Sequence, residues 1–575
     1  MKAASDTKEE GVSGPSFGQK LTSNRIYWLA FYLSLISATM AVPILVSGSR
    51  FVISDLPEFA PITLILGTLA TACFGTIKYP NRALYLRITL AGCSILIALN
   101  IVWLGFDFPV VHENVYTGVA PLFPILPLLA LFAGIAAVFR PAFAIITALI
   151  FAMQKELVVS MAGGLPGFSH YLVIVDTMVF VAVAIVGIFI ARLCAEYVFG
   201  TEKAAELHHE DRLDFYFLTA MCIAIGVHFG NYFLSGIGKA LLDGGLISWI
   251  LENKTQYTML AGYNLGSAPL SFFDPLFGFA FENMDRGYVL LNILVLVSQT
   301  FCFLAFFRKK LMIAWVVFFD IMHVTIFVLT GALFIHWIAL NFLLVLSVSK
   351  MPANLAPRPA LFAGVAATLI GHFAFNTMQM AWYDNRQVRD AGFVAVYEDG
   401  SEARVPPSYF RESAYGFYNR WFRLPSGTVG GIDAPDAAMA STDWPAQTAA
   451  WGQVDKIDEM RQGEACERPE SSASSNRIDF DLEATKTYVK ARHRWALDRI
   501  ENEKPLRYHL FPHDHFSMPW RFKNFDQSDV NDIVSYYYIV ETVCLSWQNG
   551  EFKRDVITRA ATKPISVVGG GHGEN

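Results

Sequence analysis

Residues 213–239 read LDFYFLTAMCIAIGVHFGNYFLSGIGK, a long apolar stretch with charged side chains only near its two ends. A helix of about 20 such residues covers the hydrocarbon core of a bilayer. Similar runs recur from Arg25 to Tyr383, near residues 26–48, 61–78, 84–104, 119–138, 140–160, 171–196, 213–235, 287–307, 311–334, 335–349 and 358–380. The sequence therefore predicts an all-α polytopic membrane helix bundle of about 11 spans. The division at 334–336 is the weakest, and one long bent helix is the alternative there.

The composition supports this fold class. Of 575 residues, 54% are hydrophobic and 16% are charged, whereas soluble proteins carry about 25% charged residues. A formal net charge of −6 leaves no basic patch for a phosphate backbone. These values exclude disordered and nucleic-acid-binding proteins and make the lipid bilayer the first expected partner.

Lysine and arginine accumulate in every second loop, which sets the expected orientation. Short cytoplasmic loops are enriched in these residues. They lie in the loops around 78–87, at 140, in 192–212, at 308–310 and in 350–358. Five basic residues are exceptions on the expected extracytoplasmic side: Arg50, Lys155, Lys239, Lys254 and Arg286. We expect a cytoplasmic tail (1–24), a membrane bundle (25–383) and an extracytoplasmic soluble domain (384–575), which is periplasmic if the cell has an inner and an outer membrane.

The C-terminal domain reads as a mixture of strands and helices. Residues 392–405 alternate around Asp399-Gly400, a strong hairpin signal. Residues 482–500 have helical spacing, 530–547 resemble an aromatic strand, and 425–476 resemble a loop. This domain holds two of the seven cysteines, Cys466 and Cys544, which either pair in an oxidising compartment or remain free thiols.

Three groups of polar residues interrupt the apolar runs. Ionisable side chains in a membrane usually line a cavity or a pathway. Lys239 follows His228 by eleven residues, and it either enters such a cavity or extends to the lipid interface. Asp320 and His323 share a helix face and form either a proton-handling pair or a structural link. The third group, His372, Asn376 and Gln379, is expected to hydrogen-bond between helices.

Residues 236–286 are neither clearly spanning nor clearly soluble. The segment contains Asn264, Asp274, Glu282 and Asp285. Irregular backbone at membrane depth needs shielding by protein or water. We therefore interpret it as a re-entrant cap over a cavity.

Two of these segments resemble the horizontally transferred transmembrane family, which includes the vitamin-K-dependent gamma-carboxylase. The resemblance lies in Tyr232-Phe-Leu-Ser-Gly-Ile-Gly-Lys239 with Trp249, and in His323 with Gly331 and Phe334. It implies that Lys239 is the base that deprotonates a lipid-soluble hydroquinone and that His323 occupies the family's histidine position. A lysine in an apolar pocket can serve as such a base. The implied protein is a quinol-linked membrane enzyme, with an extracytoplasmic substrate presented by the C-terminal domain. We therefore predict that Lys239 and His323 face one cavity, within reach of a single ligand.

Two further interpretations stay open. The same polar residues could belong to a non-enzymatic transporter or a membrane assembly factor, where they line a pathway or link helices. His509, His513 and His515 have the spacing of metal ligands, but a surface or core histidine cluster is the favoured interpretation. We therefore expect no metal site.

Overall fold

The computed structural model describes residues 78–79, 83–104, 123–162, 172–200, 210–352, 358–373, 380–409, 422–423, 429–430, 456–467, 482–506 and 517–568. The expected tail (1–24), the expected span 26–48 and all but the last residue of the span 61–78 lie outside these ranges. The described residues are mainly helical, with a strand-containing region at the C-terminal end.

Eleven described α-helices precede the first strand. They are α1 (Leu84–Leu104), α2 (Leu126–Ala136), α3 (Ala142–Ala162), α4 (Leu172–Phe199), α5 (Glu210–Ala240), α6 (Ser248–Glu252), α7 (Tyr257–Asn264), α8 (Asp274–Thr300), α9 (Lys309–Thr330), α10 (Ile335–Lys350) and α11 (Arg358–Ile370). Within the described ranges, three helices are long and apolar enough to cross a membrane: Leu84–Trp103, Phe215–Ala240 and Lys309–Thr330. Five shorter apolar helices accompany them.

Helix α5 is the central element of the bundle. It packs against α4, α8 and α11, and 89% of its apolar stretch is buried, whereas only 22% of the corresponding stretch of α9 is buried. Gly236 explains one close approach, because a Cβ there would lie 2.7 Å from the backbone nitrogen of Thr300 at the end of α8. The small residues after His228 therefore bring a neighbouring helix close to the α5 backbone.

Helices α9 and α10 are separate, so the alternative of one long bent helix at 334–336 is wrong. Gly331 follows α9 with φ of +83°, a left-handed conformation that glycine adopts without steric cost. A Cβ at Gly331 would also collide with the backbone of Ser267. The break thus lies at Gly331, three residues before the weak division predicted from hydropathy.

The region between α5 and α9 also differs from the predicted pattern. The expected span 287–307 is the second half of α8, which begins at Asp274, followed by a 3-10 segment over Cys302–Phe307. Upstream, α6 and α7 are short helices joined by turns. Their irregular backbone contacts the C-terminal region, since Leu260 and Tyr263 pack in one cluster with Val543 and Leu545.

The C-terminal region contains a five-stranded sheet. Its main strands are β1 (Gln387–Tyr397), β2 (Glu402–Arg404), β5 (Ile533–Gln548), β6 (Glu551–Ala561) and β7 (Ile565–Ser566); β3 (Phe422–Arg423) and β4 (Val429–Gly430) form a separate pair. The order is β2-β1-β5-β6, with β7 paired to β5 and all pairings antiparallel. The hairpin predicted at Asp399-Gly400 is confirmed by the register Val396↔Glu402.

One face of the sheet is covered by a helix that the sequence predicted. The described residues of this region contain three further α-helices: α12 (Ile457–Ala465), α13 (Leu482–Glu501) and α14 (Lys523–Gln527). The prediction of a loop over residues 425–476 is therefore wrong at α12. Tyr488 and Val489 of α13 pack in one core with Phe393, Tyr536 and Tyr538. The expected helix at 482–500 and the expected strand at 530–547 are both confirmed. Burying this aromatic core explains why β5 is rich in tyrosine.

A buried charge network fastens the sheet to the segment between α5 and α8. Asp390 on β1 forms ion pairs with Arg404 (2.5 Å) and Arg554 (3.1 Å), and it accepts a hydrogen bond from Asn264 of α7 (3.1 Å). Burial alone would raise the pKa of the Asp390 carboxyl. The two guanidiniums and the hydrogen bonds outweigh burial, so this pKa lies below its ordinary value.

Cys466 and Cys544 form a disulfide with their Cα atoms 5.6 Å apart. Of the two alternatives left open by the sequence, the structure has the paired form. The bond joins the residue that follows α12 to the middle of β5. Cys93, Cys222 and Cys302 are buried free thiols, as expected for cysteines in apolar runs.

Candidate functional site

Four polar side chains lie along one face of α5. His228, Tyr232, Ser235 and Lys239 are separated by four, three and four residues, spacings that return to the same side of an α-helix. All four are buried. Buried polar groups are normally hydrogen-bonded, and the partners of these residues separate into two groups.

The first group, the Asn341 network, joins three helices. The Asn341 amide oxygen of α10 accepts a hydrogen bond from His228 Nε2 at 2.8 Å. Its amide nitrogen donates to the Tyr232 hydroxyl (3.2 Å) and to Asp320 Oδ1 on α9 (2.9 Å). A single amide therefore links α5, α9 and α10.

His323 lies beside this network and is enclosed by aromatic rings. Its ring stacks on Phe334 at 5.0 Å between centroids, and it lies 5.8 Å from the rings of both Tyr232 and Trp337. Tyr232 in turn stacks on Phe319 at 3.7 Å. Tyr232 thus contacts both His323 and the Asn341 network, whereas Asp320 accepts its hydrogen bond from Asn341.

The second group, the Lys239 pocket, consists of Lys239, Trp249, Met380, Trp382 and Asp384. Only 7% of Lys239 is exposed. Its Nζ donates to the carbonyl oxygens of Met380 (2.5 Å) and Ser235 (3.3 Å). Nζ also lies 5.5 Å and 5.8 Å from the ring centroids of Trp249 and Trp382, distances typical of cation–π contacts. The amine is therefore held inside the protein.

The chain returns to Lys239 through a glycine turn. Gly244 and Gly245 both have φ near +100°, which side chains with a Cβ rarely adopt. The turn allows α6 to fold back and place Trp249 beside Nζ. The Trp249 indole nitrogen then donates to the backbone carbonyl of Trp382 at 2.8 Å, which fixes the Trp249 ring.

Asp384 belongs to the pocket, although hydropathy placed it at the start of the soluble domain. Its carboxylate is buried and accepts hydrogen bonds from Thr258 (2.6 Å), Asn253 (3.2 Å) and the Trp382 indole (3.2 Å). Three donors favour the charged carboxylate. Asp384 also interacts electrostatically with Lys239, so the carboxylate would stabilise a positive charge that develops on the amine.

The two groups occupy different heights on α5. Tyr232 contacts His323. Lys239 comes seven residues after Tyr232, which is about 10 Å along the helix axis. The sequence predicted that Lys239 and His323 share one cavity. A single ligand contacting both residues would have to span this distance along the same face.

The other residues singled out in the sequence are only partly described. His372 lies in a 3-10 turn after α11 and is half-buried. Asn376 and Gln379, like His509, His513 and His515, lie outside the described residues. Within the described ranges, no group of three or more His, Cys, Asp or Glu residues is arranged to hold a metal ion.

No protein-family model matches the sequence, and no curated protein or solved structure is detectably similar to it. The resemblance to the horizontally transferred transmembrane family thus rests on the quoted residues of α5, α6 and α9. Any functional conclusion depends on the geometry of the two polar groups.

Proposed function

We propose that this chain is a polytopic membrane enzyme that takes a proton from a lipid-soluble, quinol-like substrate, with Lys239 as the base. The observation that carries the proposal is the burial of Lys239 between two indole rings. Burying an amine in this way costs free energy. Ionisable residues inside membrane proteins are therefore usually retained for a function. In the neutral amine, the two N–H groups donate to carbonyl oxygens, and the lone pair would accept the proton of the substrate hydroxyl.

The proton transfer is balanced within the pocket. The Nζ lone pair takes the hydroxyl proton, so one N–H bond forms as one O–H bond breaks, and the substrate becomes an oxyanion. The resulting ammonium is stabilised by the carbonyl oxygens of Ser235 and Met380, by the indole faces and by the Asp384 carboxylate. The pocket thus offers stabilisation where charge develops.

The proposed membrane arrangement has about 11 spans, a cytoplasmic amino terminus and an extracytoplasmic region 384–575 in the cell (inner) membrane. The basic loops support this orientation. The Cys466–Cys544 disulfide also supports it, because such bonds persist mainly in oxidising compartments.

The experiment is to identify lipid-soluble molecules that copurify with the protein. Wild type should retain a quinone or a similar aromatic lipid that is depleted in Lys239→Met, which keeps the stem length and removes the amine. Lys239→Arg should also lack activity, because guanidinium stays protonated. The control is Lys310→Met, which removes an exposed lysine. Equal retention by wild type and Lys239→Met would contradict the proposal.

The second candidate is a transporter or assembly factor without catalysis. It is favoured by the Asn341 network, whose hydrogen bonds join α5, α9 and α10 in the way that polar residues link membrane helices. In that case Lys239→Arg should preserve function, since only a positive charge would be required. The arginine variant therefore separates the two candidates.

A further inference from the structure

Helix α12 packs directly on the Lys239 pocket. Met460 is 1% exposed and lies in one apolar cluster with Trp249 and Tyr383. Trp249 is the residue whose ring faces Lys239 Nζ. The carbonyl of Met460 accepts a hydrogen bond from Asn385 at 3.2 Å, and Gly463 lies so close that a Cβ there would collide with the Asn385 side chain.

Polar contacts fix the outer side of α12 to α6 and α7. Glu464 forms an ion pair with Lys254 and accepts a hydrogen bond from the Tyr257 hydroxyl at 3.2 Å. Arg461 lies 3.5 Å from Glu252. These ion pairs are partly exposed, and such pairs contribute little stability on their own.

The disulfide supplies the strongest attachment. α12 has nine residues, too few for a stable isolated helix in water. Cys466 directly follows the helix and is bonded to Cys544 of β5, which pairs with β1 and β6 in the sheet. The bond therefore ties the end of a marginal helix to a stable element.

We infer that α12 is a lid over the Lys239 pocket, strapped down by the Cys466–Cys544 disulfide, and that it excludes water-borne reagents and ligands from Lys239. Met460 and Trp249 share one apolar cluster, and the Trp249 ring faces the amine, so lifting α12 removes the outer layer of the pocket. The lid makes the site selective against water-borne ligands. This inference concerns access to Lys239 and holds whichever reaction occurs there.

The test is acetylation of lysines by a sulfonated, water-soluble N-hydroxysuccinimide ester, with the full chain in lipid nanodiscs and each lysine quantified by mass spectrometry. In oxidised wild type, Lys239 should react far more slowly than the exposed Lys310. Reduction of the disulfide by a phosphine should increase the Lys239 rate by roughly tenfold, equivalent to ~1.4 kcal/mol of closure free energy. Reoxidation should restore the slow rate.

Two variants and one internal control keep the result interpretable. The double variant Cys466→Ser/Cys544→Ser should match reduced wild type. Arg461→Gln/Glu464→Gln, which leaves the disulfide intact, should give a smaller increase. The buried thiol Cys222 of α5 should stay unreactive toward maleimide throughout. The lid proposal is contradicted if the acetylation rate of Lys239 does not respond to reduction, or if Lys239 of the oxidised protein reacts as fast as Lys310. It is also contradicted if Cys222 becomes reactive toward maleimide when Lys239 becomes reactive toward the ester, because that result would indicate general unfolding.

Discussion

Replacing Asp390 by asparagine tests how the sheet is fastened to the segment between α5 and α8. The side chain of Asp390 is 6% exposed and lies between Arg404 and Arg554, whose side chains are 31% and 28% exposed. Asparagine keeps the size and one acceptor oxygen but removes the charge. Arg404 then loses its ion pair, Arg554 keeps its ion pair with Glu541, and the contact with Asn264 of α7 weakens.

The expected loss of stability follows from the burial of each partner. Breaking a fully buried ion pair costs about 3–5 kcal/mol. Water screens the two partly exposed arginines, so we expect about 2–3 kcal/mol for Asp390→Asn. For a folded region of the size of residues 384–575, this loss of stability corresponds to a decrease in Tm of roughly 5–10 °C.

The pH dependence provides an independent check. Because the pKa of Asp390 is lowered in the folded protein, its stabilisation is complete above the unfolded value of about 3.9 and is lost as the pH falls through the folded pKa. The Tm difference between wild type and variant, measured by tryptophan fluorescence in detergent, should therefore be constant from about pH 7 to pH 5 and shrink below pH 4.

A matched control is Asp555→Asn, an exposed carboxylate on the neighbouring strand β6, which should change Tm by less than about 1 °C. The reasoning is refuted if both asparagine variants unfold at the same temperature, or if the Asp390→Asn difference does not depend on pH.

Three other predictions concern separate parts of the chain. Burial lowers the pKa of His493, beside the Tyr536 hydroxyl, to about 4, so the free energy of unfolding should decrease as the pH falls from about 6.5 towards 4. In thermal unfolding, His493→Gln should reduce this dependence of Tm on pH. If the dependence is unchanged in the variant, it arises from other groups. Asn341→Leu removes three interhelical hydrogen bonds and should cost about 2 kcal/mol in thermal unfolding, whereas Asn283→Leu, on the exposed side of α8, should cost little. In intact cells, an impermeant maleimide should label a cysteine introduced at Ser401 and should not label one introduced at Lys310. The reverse pattern would contradict the proposed orientation.

Local patterns were sufficient to predict most of the described α-helices and the strands β1, β2 and β5, but not β6 or the helices α6, α7 and α12. The bounds of α1 match the apolar run at 84–104, and the Asp399-Gly400 turn and the aromatic strand β5 appear where their residue types indicated. Each of these elements is determined by periodicity or turn chemistry within a short stretch. The mixed helix and strand content of the C-terminal region was predictable for the same reason.

The contacts of the candidate site were only partly predictable. Spacing placed Asp320 and His323 on one face, but it could not show that Asn341, about 20 residues further along the chain, accepts from His228 and donates to Asp320. Asp384 was missed because hydropathy ends the last span just before it. Its role in the Lys239 pocket depends on long-range folding of 380–385 back onto α5.

The helix boundaries around Gly331 and Asp274 show a related limit. Hydropathy averages over a window, whereas the α9 break depends on one glycine that meets the backbone of Ser267. Likewise, α8 begins at Asp274, ahead of its apolar half, because Asp274 and Pro275 favour the first turn of a helix, and a hydropathy window does not register this signal.

The most direct test of the central claim is the ionisation state of a hydroquinone bound at Lys239. An anaerobic ultraviolet difference spectrum of a short-chain naphthohydroquinone with purified protein distinguishes the neutral form from the monoanion. Wild type at neutral pH should show the anion, because Lys239 takes the proton and Asp384 stabilises the ammonium. Lys239→Met should show only the neutral form, while Lys310→Met should behave as wild type. An anion of equal intensity in Lys239→Met, or a neutral ligand in wild type, would contradict the assignment of Lys239 as the base.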